Sequence, residues 1–180
     1  MGASVIFLDR SMNKPGAVIA LGAYHPWLGG TNPRFDDWSA RILDLKDMKE
    51  GGIAYFFAKV DPMLGTGFAV CAVPSHDPEK VDSGIRVLAR RIAGARRGRI
   101  DAVDSLVRTQ KIEKLAHGGS RDKEVHKNSI QVRRRTLIKG RSVLLIDDVT
   151  TSGNSMMACT ELLVDAGATV VQPLALGQTT

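Results

Sequence analysis

The sequence predicts a doubly wound α/β fold: a mostly parallel sheet with helices on both faces. Three observations point to it. Largely apolar runs of strand length recur at 66–75, 142–146 and 168–177, as expected of strands buried on both faces. Segments with a helical period lie between them, at 83–98 and 154–165. The run at 142–146 leads directly into a turn rich in hydroxyls and glycine, at the end of the strand where open parallel sheets bind ligands.

From the N-terminus, "SVIFL" (4–8) and "GAVIALG" (16–22) are short apolar runs separated by "DRSMNKP", which predicts a β-hairpin. Residues 25–38, "HPWLGGTNPRFDDW", carry the composition of a loop. "SARILDLKDMKE" fits strand and helix equally. Ile53, Phe56, Phe57 and Val60 fall at i, i+3, i+4 and i+7, one buried face of a helix. "TGFAVCAVPS" (66–75) is a central strand ended by Pro74. In 83–98, Ile85, Leu88 and Ile92 mark the inner side of a helix, with Arg86, Arg90 and Arg97 on the outer side. "IDAVDSLVR" (100–108) returns as a strand. Residues 109–129 are polar and basic with little to bury, which predicts a mobile functional loop or a surface excursion. "SVLLI" (142–146) is a strand, 154–165 a helix stopped at Gly167, and "ATVVQPLALG" the final strand. The organisation is an N-terminal extension (1–65: hairpin, loop, helix) on a core (66–180), together one compact domain.

The chain has 180 residues, of which 43% are hydrophobic and 24% charged. No apolar run reaches the ~18 residues of a membrane span, and the N-terminus does not read as a signal peptide. Cys71 and Cys159 sit in apolar surroundings and read as core thiols of a reducing cytoplasm. The net charge of +6 is unevenly placed: 80–141 holds 18 Lys/Arg against 6 Asp/Glu, the rest of the chain 7 against 13. Such a block favours a polyanion, either a phosphorylated small molecule or weakly held nucleic acid, although a solvated basic face accounts for much of it.

The chemistry concentrates in "VLLIDDVTTSGNSM" (143–156). Asp147 and Asp148 follow a buried strand, and two adjacent carboxylates repel unless something between them takes the charge. Thr150, Thr151, Ser152, Gly153, Asn154 and Ser155 form the turn into the next helix. Small residues there let backbone N–H groups and hydroxyls wrap an anion at the positive end of the helix dipole. The loop suits a phosphate, and the carboxylates suit hydroxyls or a hydrated cation. A ribose 5-phosphate offers both. Neither a Walker lysine nor a GxGxxG is present, which sets aside the common nucleotide loops.

"VLLIDDVTTSGNS" resembles the phosphoribosyl pyrophosphate motif of the type I phosphoribosyltransferases. The resemblance implies that family's fold, with Asp147 and Asp148 on the ribose hydroxyls and, through water, on Mg²⁺. Residues 150–155 would then hold the 5-phosphate. A looser resemblance, over about 70–180, is to the competence-associated ComF-like branch. It implies a pyrophosphate loop after the central strand, at Val73, Pro74, Ser75, His76 and Asp77, with Lys80 nearby. It also implies a mobile segment bearing Arg108, Gln110, Arg121, Lys127 and Asn128. Where relatives carry an acidic acid/base residue after the Asp pair, this chain has Thr150, and it has no CxxC. Trp27, Phe35 and Trp38 are candidates to stack on a base, with core packing the plainer alternative. His25, His117 and His126 lack metal-ligand spacing.

Three readings follow. The chain is a transferase moving phosphoribose from phosphoribosyl pyrophosphate to a nitrogenous base or similar acceptor. Alternatively it is a non-catalytic regulator binding the same ligand, or a ComF-like accessory protein of DNA uptake. The acceptor is not identified, and a homodimer is left open.

Overall fold

The computed structural model describes residues 5–112 and 123–180. Its strands are β1 (Ile19–Ala20), β2 (Ala23–Tyr24), β3 (Phe68–Ala72), β4 (Ile100–Asp101), β5 (Leu106–Arg108), β6 (Ile130–Val132), β7 (Ser142–Thr150) and β8 (Val170–Thr179). Its helices are α1 (Asp37–Lys46), α2 (Glu50–Val60), α3 (Gly84–Ala95), α4 (Lys123–Asn128) and α5 (Asn154–Asp165). The main sheet runs β1-β8-β7-β3-β4, with β2 also on β8, and every pairing in it is parallel. β5 and β6 form a separate antiparallel pair.

Alternation along the central strands sorts the core into two layers. Phe68, Val70, Ala72, Leu144 and Ile146 face α1, α2 and α3, where Ile42, Leu45, Phe56, Leu88 and Ile92 are buried. Ala69, Cys71, Val143 and Leu145 face α5, with Met156, Cys159 and Leu163. Helices thus cover both faces, as the largely apolar runs predict. Both thiols are buried, which pushes Cys71 up and Cys159 up to about 12. They are inert core residues.

The register of β7 is what opens a site. Its ladder with β3 runs from Ser142↔Phe68 to Ile146↔Ala72 and closes with Val73 N–H donating to the Ile146 carbonyl at 3.0 Å. β8 stays paired with β7 as far as Thr150↔Gln178. Beyond Ile146, β7 therefore has a partner on one side only, and the other side gapes where the chain leaves β3 at Pro74. Pro173 sits in β8 opposite Leu145, one residue before the β1 pairing begins at Leu174↔Ile19. Its missing N–H therefore costs no ladder bond on that side.

Several expectations need correction. The hairpin between 4–8 and 16–22 does not form. β1 pairs with β8, and Phe7 bridges Leu64 antiparallel. The turn between these runs is organised by Asn13, whose side chain accepts from Ile6 N–H and Phe7 N–H and donates to the Phe7 carbonyl. The apolar pattern announces buried extended chain but not its partner. The ambiguous 39–50 stretch is helix as far as Lys46, started by Asp36 accepting from Ser39 N–H at 2.8 Å, and then turns at 47–49 into α2. The strand expected at 100–108 breaks in two, its second half leaving the sheet to pair with β6. β7 runs four residues past Ile146, so Asp147 to Thr150 lie in the strand and only 151–153 form the turn.

α1, α2 and α3 approach closely because glycines face them. A Cβ on Gly84 would lie 1.7 Å from the Leu45 carbonyl oxygen, and one on Gly52 2.4 Å from the Leu45 nitrogen. Backbone cannot yield as a side chain would. Gly84→Ala should destabilise the chain by about 1–3 kcal/mol, seen as a lower urea midpoint at unchanged slope. An unchanged midpoint would mean that the α1–α3 contact is not tight.

Candidate active site

The gap beside β7 is a cleft of about 540 Å³. One wall is Asp147, Asp148, Val149 and Thr150 at the end of β7, continuing through Thr151, Ser152 and Gly153 into Asn154 and Ser155 of α5. Facing it are Val73, Pro74, Ser75, His76 and Lys80, with Gly84 and Ile85 at the start of α3. Tyr24, Lys46 and Thr179 close one end, and Arg108, Ile112 and His126 line the cleft as well.

Gly153, at φ +80°, makes the left-handed step that turns the strand into α5. Thr151 and Ser152 are exposed there, with Asn154 N–H donating to Ser152 Oγ at 3.4 Å and Thr151 Oγ1 3.0 Å from Thr179 Oγ1. Backbone N–H groups, hydroxyls and the helix N-terminus converge on one spot, as a phosphate requires.

Asp147 accepts from Asp148 N–H at 2.8 Å, and Asp148 accepts from Val149 N–H at 2.6 Å. Burial, and then the Asp148 charge, push the Asp147 pKa well above the carboxylate range. The near cation is Lys46, at the end of α1, 3.7 Å from Asp148 and 5.3 Å from the Tyr24 ring centroid. Two adjacent carboxylates with so little counter-charge suit a hydrated divalent cation shared with a ligand's oxygens. No group of three or more His, Cys, Asp or Glu that could hold a metal occurs among the described residues. Such a cation would rely on the ligand for part of its shell.

Arg108 is buried at 4% exposure. Its Nε donates to the Ser75 carbonyl at 2.9 Å and Nη1 to Ser129 Oγ at 2.5 Å, while Nη2 lies 3.5 Å from His126 Nδ1. The same His126 nitrogen is 3.2 Å from Ser155 Oγ. Arg108 and His126 thus join the loop after β3 to the first turn of α5.

Asp147, Asp148, residues 150–155, Pro74, Ser75, His76 and Arg108 therefore meet in one cleft. Other expected residues do not join it. Asp77 lies outside the lining, held by Lys111 at 2.9 Å, and that hydrogen bond keeps its carboxyl below the usual range. Lys127 pairs with Glu161 of α5 at 3.1 Å, and Lys123 with the same side chain at 2.6 Å. Gln110 and Asn128 are exposed outside the lining. Arg121 and His117 lie outside the described residues, as does the middle of the expected mobile segment. Trp38 packs, partly buried, against the core: it meets Phe56 edge-on at 5.2 Å and donates Nε1–H to the Leu176 carbonyl. Trp27 packs on Phe35 away from the cleft. Lys46, Tyr24 and Thr179 were not foreseen. A lysine in a last helical turn ordinarily complements the dipole, and nothing in sequence ties it to residues a hundred positions away.

Residues 106–176 match the family model of the phosphoribosyl transferase domain. The matched span contains the acidic pair, the phosphate-type turn and Arg108. The chain is also 28% identical over 138 residues to an adenine phosphoribosyltransferase of Saccharopolyspora erythraea, covering 73% of this chain and 74% of that protein. Among solved structures, that of the allosteric regulatory enzyme of purine biosynthesis matches with 20% identity and a TM-score of 0.43. The match covers 77% of this chain but a quarter (25%) of the other. No described helix is long and apolar enough to cross a membrane.

The raised pKa of Asp147 has a consequence for stability. A carboxyl whose folded pKa lies above its unfolded value loses stability as pH rises through that interval. Asp147→Asn, which keeps an acceptor for Asp148 N–H, should therefore stabilise the chain near neutral pH. The gain should be on the order of 1 kcal/mol, about 2–4 °C in Tm. It should vanish below about pH 3.9, where the unfolded carboxyl is also protonated. A gain that is the same at every pH would rule out ionisation as its cause.

Proposed function

We propose that this chain is a phosphoribosyltransferase that takes phosphoribose from phosphoribosyl pyrophosphate, with Mg²⁺, and passes it to a nitrogenous base. The observation that carries this is the placement of Asp147–Asp148 one turn from an anion-shaped helix start, inside a span matching the phosphoribosyl transferase domain. The turn at 151–155 binds the 5-phosphate through N–H groups and hydroxyls. Asp147 and Asp148 hold the ribose hydroxyls. Ser75 and His76 face the pyrophosphate, with Lys80 supplying positive charge along the same wall. Arg108 fixes the loop from behind through the Ser75 carbonyl. Mg²⁺, held through water by the Asp pair and by ligand oxygens, would neutralise the departing pyrophosphate. The residues themselves position the ligand, supply fixed dipoles and keep water from the sugar carbon.

The acceptor enters at the end lined by Tyr24, Lys46 and Thr179. The name of the curated relative suggests adenine as the first acceptor to try. A regulator without turnover is the second reading, supported by the lack of any acidic side chain from Val149 to Ser155, just after the Asp pair. A ComF-like role in DNA uptake finds less support. Much of the basic block is spent internally, with Arg86 and Arg90 on Asp104, Arg91 on Glu50, and Arg96 and Arg99 on Asp61.

Calorimetric titration should show phosphoribosyl pyrophosphate binding that depends on Mg²⁺. Asp147→Asn combined with Asp148→Asn should weaken it by at least about tenfold, or about 1.4 kcal/mol, with the circular dichroism spectrum unchanged. Undiminished affinity in the double variant would contradict the assignment. Pyrophosphate release on adding adenine separates transferase from regulator.

A further inference from the structure

A second cavity of about 580 Å³ lies on the other side of the loop that follows β3. It shares Pro74, Ser75, Lys80 and Arg108 with the first cleft, so this loop is a partition between two chambers. Among the described residues, six cationic side chains line the second chamber: Lys80, Arg86, Arg90, Arg108, Arg133 and Arg134. Three carboxylates, Asp77, Asp82 and Asp104, line it too, leaving a formal excess of three positive charges.

Those carboxylates are heavily shared. One oxygen of Asp104 accepts from both Arg86, at 2.6 Å, and Arg90, at 2.9 Å. Asp77 is already engaged by Lys111 from outside the chamber. Arg86 is buried at 7% exposure, and its buried Nε has no hydrogen-bond partner. A buried guanidinium resting on one shared carboxylate oxygen and, at 3.5 Å, on the Val103 carbonyl is under-supplied with acceptors. Arg133 and Arg134 stand exposed at the rim and make no ion pair with any described residue. Arg134 is held at φ +51° by the turn into 135–137, which fixes the direction its side chain leaves the backbone.

We infer that this chamber is a second anion site, taking a phosphorylated small molecule of nucleotide size. The phosphates lie between the Arg86–Arg90 pair and the Arg133–Arg134 rim, where charge-assisted hydrogen bonds replace the acceptors Asp104 cannot supply. Val81, Pro78 and Val107 give the remainder of the ligand an apolar surface. The volume is several times what one phosphate needs and lies within the range of small-molecule sites, about 300–1,000 Å³. The second chamber lies apart from the first cleft, and a ligand in it presses on the Pro74–Ser75 wall that the two share.

ATP is a suitable probe, titrated into the full chain without divalent metal or phosphoribosyl pyrophosphate. Binding should weaken as salt rises. It should fall by about tenfold in the variant Arg133→Ser with Arg134→Asn, asparagine being chosen because it tolerates the left-handed backbone. Amide hydrogen exchange with ATP present should show protection at 77–82 and 104–108. Absence of ATP binding by the unsubstituted chain would overturn the proposal. So would full affinity in the double variant, or protection confined to 151–155.

Discussion

The parallel pairing of β7 between β3 and β8 is the constraint on which everything else depends. Val143 to Ile146 are buried on both faces and hydrogen-bonded on both edges. That environment admits only apolar side chains and fixes the register to the residue. Because β3 departs at Pro74 while β8 continues to Thr179, the next residues of β7 are supported from one side and open on the other. Two carboxylates can stand at that point because water or a ligand reaches them. One residue earlier they would be sealed in the core at prohibitive cost.

Arg108 is the second determinant. It is a buried cation whose partners include a backbone carbonyl, a hydroxyl and an imidazole. It spans β5, the loop after β3 and α4, and through His126 it reaches Ser155 at the start of α5. The separate β5–β6 pair carries this residue opposite Ile130, and α4 is fastened to α5 by Lys123 and Lys127 on Glu161. On the opposite face, Arg99 has a comparable role. Its guanidinium donates to the Leu64, Gly65 and Ile92 carbonyls and to Asp61. Burial would raise the Asp61 carboxyl, but Arg99 and Arg96 outweigh it and hold it below its ordinary range.

The legible parts of the sequence were those governed by local rules. Largely apolar runs announced β3, β7 and β8, the period of 3.6 announced α2 and α3, and Gly167 at φ +98° ends α5 as expected. The acidic pair and the turn after it were legible because strand, turn and helix start are contiguous. What could not be read was partnership over distance. Nothing near residue 19 says that it will lie beside Leu174 rather than fold back on residues 4–8. Nothing in the charge pattern separates Arg108, which is buried, from Lys127, which turns to Glu161 of the next helix. Arg86 was placed on the polar side of α3 and is instead buried against Asp104, because β5 and the turn before it cover that side.

The central claim is that β7 and the start of α5 together read a phosphorylated ribose. A crystal structure of the chain with ribose 5-phosphate tests it most directly. The phosphate should lie on the N–H groups and hydroxyls of 151–155, with the sugar hydroxyls on Asp147 and Asp148. A phosphate bound elsewhere, with the turn at 151–155 left to solvent, would contradict the account.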